Sequence, residues 1–429
     1  MIPLQFGCFL APHHPVGMHP TRQFEQDLDL VEMLDRLGYD EFWCGEHHSS
    51  GWEMIASPEM FLAAAGQRTH HIRLGTGVVS LPYHHPFNVA QRMVQLDHMT
   101  RGRAMFGSGP GALPSDARTL GIDPIVQRDR QDEALGVIIR LLRGEPRFSY
   151  ESEWFTLRDA ELQIPPLQSD MPMATASSLS PSGMQLAGKY GIGALSIAST
   201  STEGLQALPT QWGFAEEAAA QHGQRVDRRN WRVLMSWHLA ETREQARQEA
   251  VAGLQRWHNE YNVWTLGRPG AQHVDDAWDL MDIVAGDGAT GTGAAVIGTP
   301  DDLVAAIRSM YETTGGFGVV LGFAHDWASR EATWRSWELC AKYVVPEIQG
   351  LTRKLRDSQT YVHDHQAELM AGAGAAVMSK IMAHPGAQQA LGITLQQAQQ
   401  AAADRAGRKR VDTVFRPGDG VALDRPNTD

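Results

Sequence analysis

Through most of the chain, apolar runs of strand length alternate with stretches whose apolar residues recur at helical spacing. That is the pattern of repeated βα units and hence of a parallel sheet. The runs read QFGCFLAP, YDEFWCGEHH, IRLGTGVVSLP, RAMFGSGPG, PMATAS, GALSIAS, WRVLMSWHLAE and FGVVLGFA. Between the first two, Leu28, Val31, Leu34 and Leu37 predict one face of a helix over Thr21 to Leu37, ended by Gly38. Ser57-Pro58, a capping residue followed by proline at the first helical position, predicts the next helix. Others are expected over Pro86 to Met99, Arg128 to Leu142, Pro181 to Tyr190 and Thr202 to Gln221. Eight such alternations make the fold class α/β, a TIM (β/α)8 barrel.

Some segments interrupt the rhythm. Gly144 to Ser169 is a looser excursion before the fifth strand. A long insertion, about Thr242 to Ile297, precedes the last strand and ends in the Gly-rich GDGATGTGAA. Loops of that length in a compact domain usually carry function, so a lid is expected there. A helix from about Arg330 to Val345 closes the barrel, which takes residues 1–348. Residues 349–429 are expected to form a helical C-terminal extension rich in Ala and Gln, ending in the polar RPGDGVALDRPNTD.

The length of 429 residues fits one barrel plus an appendage, and 42% hydrophobic with 20% charged residues is an ordinary globular composition. A formal charge of −13 argues against nucleic-acid or anionic-membrane partners, which need basic surfaces. No apolar run approaches the roughly 18 residues of a membrane helix, and MIPLQFGCFLAP lacks a basic leader region, so a cytoplasmic protein is expected. Cys8, Cys44 and Cys340 are too few and scattered for a disulfide framework and are expected to be buried, inert thiols.

A TIM barrel keeps its chemistry at the carboxyl ends of its strands, which gives weight to the polar residues there. The second strand ends in Glu46-His47-His48, of which at most one histidine faces the mouth, because neighbours on a strand point to opposite sides. The third runs into His84-His85, either of which could orient a cofactor or cap the next helix; His85 is the second catalytic candidate beside His47. The helix that follows carries Asn88, Gln91 and Arg92, with Arg92 a candidate to reach the mouth. Gly107, Ser108 and Gly109 lie in a Gly-rich strand end that would let a flat ligand approach the backbone. Ser177 to Met184, with Ser178, Ser180, Ser182, Gly183 and Met184, leads directly into a helix. Such a turn suits a monophosphate, because the first amides are unpaired and the dipole favours an anion; an ordinary serine cap is the other reading. Metal chemistry is disfavoured even with 18 histidines, since the doubled ones at 13/14, 47/48, 70/71 and 84/85 are adjacent and diverge on a strand. No Gly-x-Ser-x-Gly elbow is present.

The Phe-Gly-x-Phe-Leu start, EFWCGEHH, RLGTGVVSLPYHHPFNVAQRMVQLDHMTRGR and the continuing FGSGPG together resemble the bacterial-luciferase-like flavin-dependent monooxygenases, over about residues 4 to 348. PYHHPFNVAQRMVQLDHMTRGRAMFGSGPGALPSDARTLGIDP and SWELCAKYVVPEIQG are most similar to the limonene-monooxygenase-like branch. The resemblance implies a two-component enzyme. Reduced FMN from a separate NAD(P)H-dependent flavin reductase would react with O2 to a 4a-hydroperoxide that oxygenates a small apolar substrate. That substrate would be a terpene such as limonene, by epoxidation or hydroxylation, or a ketone, by Baeyer-Villiger insertion. It also implies a homodimer or homotetramer. His47 falls on the family's catalytic histidine, and Ser178, Ser180, Ser182 and Gly183 fall on its flavin-phosphate loop. Gly109 and Pro110 stand where luciferase has a reactive cysteine and a phosphate-binding arginine, departures that point to a relative of luciferase without its light emission. The phosphate's cationic partner stays unassigned. Phe9, Trp52, Met54 and Trp237 would suit an apolar substrate or simply the core. A deazaflavin-dependent oxidoreductase and a non-catalytic flavin-binding subunit are the alternatives.

Overall fold

The computed structural model describes residues 3–11, 13–197, 202–286 and 294–405. Its eight barrel strands are β1 (Gln5–Leu10), β2 (Glu41–Cys44), β3 (Arg73–Thr76), β4 (Ala104–Gly109), β5 (Met173–Ser177), β6 (Gly193–Ser196), β7 (Trp231–Leu239) and β8 (Val319–Ala324). Each pairs in parallel with the next, and Gln5 of β1 lies opposite Val319 of β8, so the ring closes. Helices α1 (Pro20–Leu37), α2 (Pro58–Arg68), α3 (Pro86–Met99), α4 (Gln127–Leu142), α5 (Ser182–Tyr190), α6 (Thr202–Gln221), α7 (Pro300–Thr314) and α8 (Arg330–Leu339) surround it. The α1 periodicity has the expected effect: Leu30, Val31 and Leu34 are buried, and Gly38, at φ +83°, ends the helix in the left-handed conformation that a side chain disfavours.

Period-two alternation splits the core in two. Phe6, Cys8 and Leu10 point outward to the helices, whereas Phe9 joins Trp43, Met105, Ala174, Leu195, Leu234, Val319 and Leu321 inside the ring. Trp43 dominates that interior. A Cβ on Gly75 would sit 2.5 Å from its ring and one on Gly107 3.0 Å from it, so the strands beside β2 leave their inward positions bare. Under the ring a buried ion pair joins Glu41 and Arg232 through two contacts of 2.7 Å. The Trp43 indole N–H donates to Glu41 at 2.8 Å, and the Arg232 guanidinium lies 4.9 Å from the Trp43 ring centre. The three side chains form a floor across the barrel.

Some expectations need correction. The excursion after α4 contains an antiparallel hairpin, Phe148–Glu151 with Thr156–Ala160. The insertion is no bare loop: it holds a helix (Arg243–Arg256), a π-helical stretch (Trp257–Thr265), a helix (Ala277–Ala285) and a strand (Ala295–Gly298). Ala246, Ala250, Leu254, Leu280, Met281 and Ile297 give it a small core of its own. Its strand pairs with the second half of β7, Ser236 to Leu239, which is why that strand is nine residues long. The last barrel helix becomes π-helical at Cys340–Val344, ahead of Pro346. Most of the Gly-rich run, the last residues of GALSIAS and the polar tail from 406 lie outside the described residues.

A separate unit begins at Gly350, with helices Arg353–Asp364, Gln366–Met382 and Pro385–Arg405. The first two bury no residue. The three cysteines are buried and free, and among the described residues no helix is long and apolar enough to cross a membrane.

Removing one partner of a buried ion pair strands the other charge, which costs about 3–5 kcal/mol. Glu41→Gln should therefore lower the unfolding free energy by about that amount in urea titrations. The double replacement Glu41→Leu with Arg232→Met should lose far less, and equal losses would show that the floor does not act as a pair.

Candidate active site

At the carboxyl end of the barrel the same alternation divides the mouth. His13 beyond β1, His47 beyond β2, His238 in β7 and His325 beyond β8 continue the inward-facing positions of four neighbouring strands. The opposite arc carries small residues at those positions: Gly77, Gly109 and Ala176. Their smallness has a steric cause, since a Cβ on Gly77 would meet Trp43 at 2.9 Å and one on Gly109 would meet Val78 at 2.5 Å. The mouth thus has a histidine side and a side of small residues.

His47 is held at both nitrogens. Nδ1 lies 3.1 Å from Asp116 and Nε2 3.2 Å from Glu53. Ionised carboxylates only accept, so a carboxylate facing each ring nitrogen favours the doubly protonated, charged form of His47. Burial pulls its pKa down, but the Asp116 hydrogen bond and the charges of Glu53 and Asp116 outweigh it and raise it above the ordinary 6.5. Glu53 also meets His13 Nε2 at 3.1 Å and accepts from the Tyr261 hydroxyl at 2.7 Å. Against the opposing effect of burial, these partners hold its pKa at about 2. Asp116 further accepts from the His48 amide at 3.1 Å and from the Ser49 hydroxyl. The result is a fixed positive charge between two fixed negative ones.

The doubled histidines diverge as alternation requires. His48 turns away from the mouth and, with His84, bonds Glu46 Oε1, each at 2.8 Å. His14 turns outward between Asp27 and Asp326, whose carboxylates overcome burial and push its pKa up to about 10. Among the described residues no cluster of His, Cys, Asp or Glu is placed to hold a metal ion.

Two candidates stand elsewhere than expected. His85 is exposed at the cap of α3 with its ring against Phe155, and His84 takes the inner place; a cap residue faces out from the helix start. Arg92 points to α2, 3.3 Å from Glu59, instead of to the mouth, because two helical turns carry it back along the barrel's outer wall.

Gly107 and Ser108 are claimed by the barrel itself. Gly107 lies against Thr76 and exchanges hydrogen bonds of 2.9 Å with its hydroxyl, and buried Ser108 leans on the Ala174 carbonyl. Only Gly109 of the three lies at the rim. The following turn is pinned by Gln127 of α4, which donates to the Pro110 carbonyl and to Tyr83, both at 2.9 Å.

In the turn after β5, Ser178 and Ser180 are exposed, and Ser180 and Ser182 share a 2.8 Å hydrogen bond. Gly183 brings α5 close to β5, since a Cβ there would sit 2.2 Å from the Ala176 carbonyl. Met184 is fully buried in the helix-side core, which leaves only its backbone amide for a ligand. Gln211 of α6, which the sequence reading missed, bonds Ser177 and the Leu179 carbonyl and so fixes the turn. The free first-turn amides and the serine hydroxyls fit a phosphate.

The insertion supplies the missing wall. Tyr261 packs at a tilt against His13 with ring centres 4.5 Å apart and lies 5.4 Å from Trp52, and Phe9 stacks on Phe323. Trp237 instead points outward onto Trp337 at 5.1 Å, so it belongs to the shell.

Residues 4–316 match the model of the luciferase-like monooxygenases. The chain is 49% identical over 347 residues to limonene 1,2-monooxygenase of Rhodococcus erythropolis, covering 81% of this chain and 87% of that protein. It is 47% identical to 4-hydroxyprotoasukamycin monooxygenase of Streptomyces nodosus subsp. asukaensis, covering 81% and 93%. The oxygenating constituent of 3,6-diketocamphane monooxygenase from Pseudomonas putida, solved with FMN, superposes with a TM-score of 0.67 at 26% identity, covering 81% and 99%. The chain belongs to the luciferase-like monooxygenase family. It is a flavin-dependent monooxygenase.

The sequence singles out His47 and the β5 turn but not Glu53, Asp116, His13 and Tyr261, which the fold places around His47. His13 and His325 carried a signal, as both follow strand ends. Asp116 and Tyr261 carried none, since they meet His47 and Glu53 only through the fold, 69 and 208 residues away in the chain.

The pH dependence follows from the signs. Protonated His47 contributes stability that is complete below its ordinary 6.5 and is lost as pH rises through its raised value. Glu53 contributes stability that is complete above its ordinary 4.5 and is lost as pH falls through about 2. Asp116→Asn should bring the titration of the His47 ring down to lower pH, read by imidazole nitrogen shifts in NMR. A titration left in place would remove Asp116 as its anchor.

Proposed function

We propose that this monooxygenase works with reduced FMN delivered by a separate NAD(P)H-dependent flavin reductase and oxygenates a small apolar organic compound. The observation that carries the reading is the divided mouth. A fixed imidazolium, His47, faces a shallow arc of Gly77, Gly109 and Ala176, and the serine turn after β5 ends that arc at a helix N-terminus. Bound there, reduced FMN would supply the activation of dioxygen and the transfer of one oxygen atom.

The protein's own groups do the rest. The Ser180 and Ser182 hydroxyls with the α5 amides would hold the phosphate, orienting the ring plane along the shallow arc. His47, with both N–H groups engaged, acts as a positive charge that does not have to reorganise when negative charge develops on oxygen beside it. Glu53 and Asp116 keep that charge in place up to pH values above its ordinary range. Phe9, Trp52, Tyr261 and Phe323 exclude water from the histidine side, which protects a reactive oxygen species from hydrolytic loss and favours an apolar substrate. The two relatives, both named as monooxygenases, support oxygenation, and their different substrates at nearly equal identity leave the substrate to be read from the pocket.

Photochemically reduced FMN, 18O2 and a panel of cyclic terpenes and ketones test the reaction directly. One labelled oxygen per product molecule is expected, and turnover without label would overturn it. Replacing Ser180 and Ser182 together by alanine should weaken FMN about 10-fold or more, at about 1 kcal/mol for each lost hydrogen bond, and riboflavin hardly at all. Equal losses for both flavins would remove the phosphate assignment. For His47→Ala, product formed per flavin oxidised should fall steeply; an unchanged ratio would return His47 to a structural role.

A further inference from the structure

The helix Gln366–Met382 of the C-terminal unit is apolar nearly all round, with Glu368 and Lys380 as its only charges, yet it buries no residue. A helix of that composition normally lies inside a core. Here Leu369, Met370, Val377, Met378 and Met382 all stand exposed. The preceding helix, Arg353–Asp364, likewise leaves Leu355, Tyr361 and Val362 exposed. From Leu351 to Met382 this amounts to on the order of 900 Å2 of apolar side-chain surface, more than the few hundred Å2 a monomer usually carries and comparable with the roughly 800 Å2 that each partner of a stable interface buries.

The barrel does not need this segment to be complete. The share of this chain that covers 99% of the 3,6-diketocamphane relative is 81%, the length of the unit that ends at Gln349. The exposed face therefore calls for a partner of its own.

The helix sequence indicates which partner. Gly374 is its midpoint, and residues at equal distances on either side match: Ala373 with Ala375, Gly372 with Ala376, Ala371 with Val377, and Met370 with Met378. Glu368 and Lys380 stand at equal distances too, with opposite charges. Met370, Ala371, Gly374, Val377 and Met378 share one helix face by their three- and four-residue spacing, small in the middle and large at both ends. The mismatched Leu369 and Ser379 lie off that face. Such self-complementarity is what a two-fold interface requires, because each side presents the same patch to the other. In an antiparallel pair, Glu368 of each copy comes level with Lys380 of the other, and the helix dipoles oppose each other favourably. A parallel pair would bring like charges level. An anionic membrane would want a basic polar face, and this helix has a single lysine.

We infer that the helix Gln366–Met382 is a self-association surface, which pairs antiparallel with the same helix of a second copy of this chain about a two-fold axis at Gly374. Gly374 and its neighbouring alanines let the two axes approach, and the methionines close over the crossing from both ends, where their unbranched side chains adapt to each other. The pairing surface lies outside the barrel, so it joins two catalytic units without contributing a residue to either mouth.

Single-cysteine additions to the full chain test the pairing, because the three native cysteines are buried. Co-expressed Met370→Cys and Met378→Cys chains should give a disulfide-linked dimer on a non-reducing gel after oxidation. Either variant alone should give several-fold less, since its two cysteines would lie about 12 Å apart along the axis of an antiparallel pair, beyond disulfide reach. The double replacement Met370→Glu with Met378→Glu should halve the mass of the full chain in light scattering. It should leave the thermal unfolding midpoint unchanged, as neither side chain is buried. A link formed as strongly by one variant alone as by the two together, no link from any of them, or a mass that the glutamates leave unaltered would overturn the inference. So would co-sedimentation of the unaltered chain with phosphatidylglycerol vesicles that the two glutamates abolish, which would give the face to a lipid surface.

Discussion

The contact on which the molecule depends is the packing of Trp43 inside the ring, held from below by the Glu41–Arg232 pair. A barrel of eight strands has room for layers of side chains, and one indole claims most of a layer here. Its neighbours must then be bare, so β3 and β4 carry Gly75 and Gly107 where other strands carry branched residues. Because inward positions recur every second residue, the same requirement reaches the rim at Gly77, which touches Trp43 and Phe9. The shallow side of the mouth is a consequence of how the floor is filled.

The other side is organised by charge. Glu53 is the shared partner of two strand-end histidines and of a tyrosine from the insertion, so one carboxylate joins β1, β2 and the segment beyond β7. Buried carboxylates are costly unless fully paired, and this one is fully paired. That pairing makes the insertion part of the site wall, with a small core of its own to hold it in shape. A monooxygenase that must keep water from a reactive oxygen has reason to build its wall from such elements, since a bare loop would hold no fixed shape.

The groups around His47 satisfy one another and act as a preorganised field.

Local chemistry decided much of this protein. Periodicity placed the eight strands and most helices, because a residue's burial in a regular element is written in its spacing. Alternation alone required His47 and His48, and likewise His13 and His14, to part. The serine turn announced itself because caps and first-turn amides are local features. The tertiary structure decided everything that needed two distant segments. It chose His84 over His85 because Glu46 lies across from one and not the other, and it turned Arg92 toward Glu59. It gave Gly107 to Trp43 and Thr76, where the sequence showed only a glycine. It set Asp116 and Tyr261 beside residues far away in the chain. Spacing along a chain carries no information about partners of this kind, since their proximity exists only once the ring has closed.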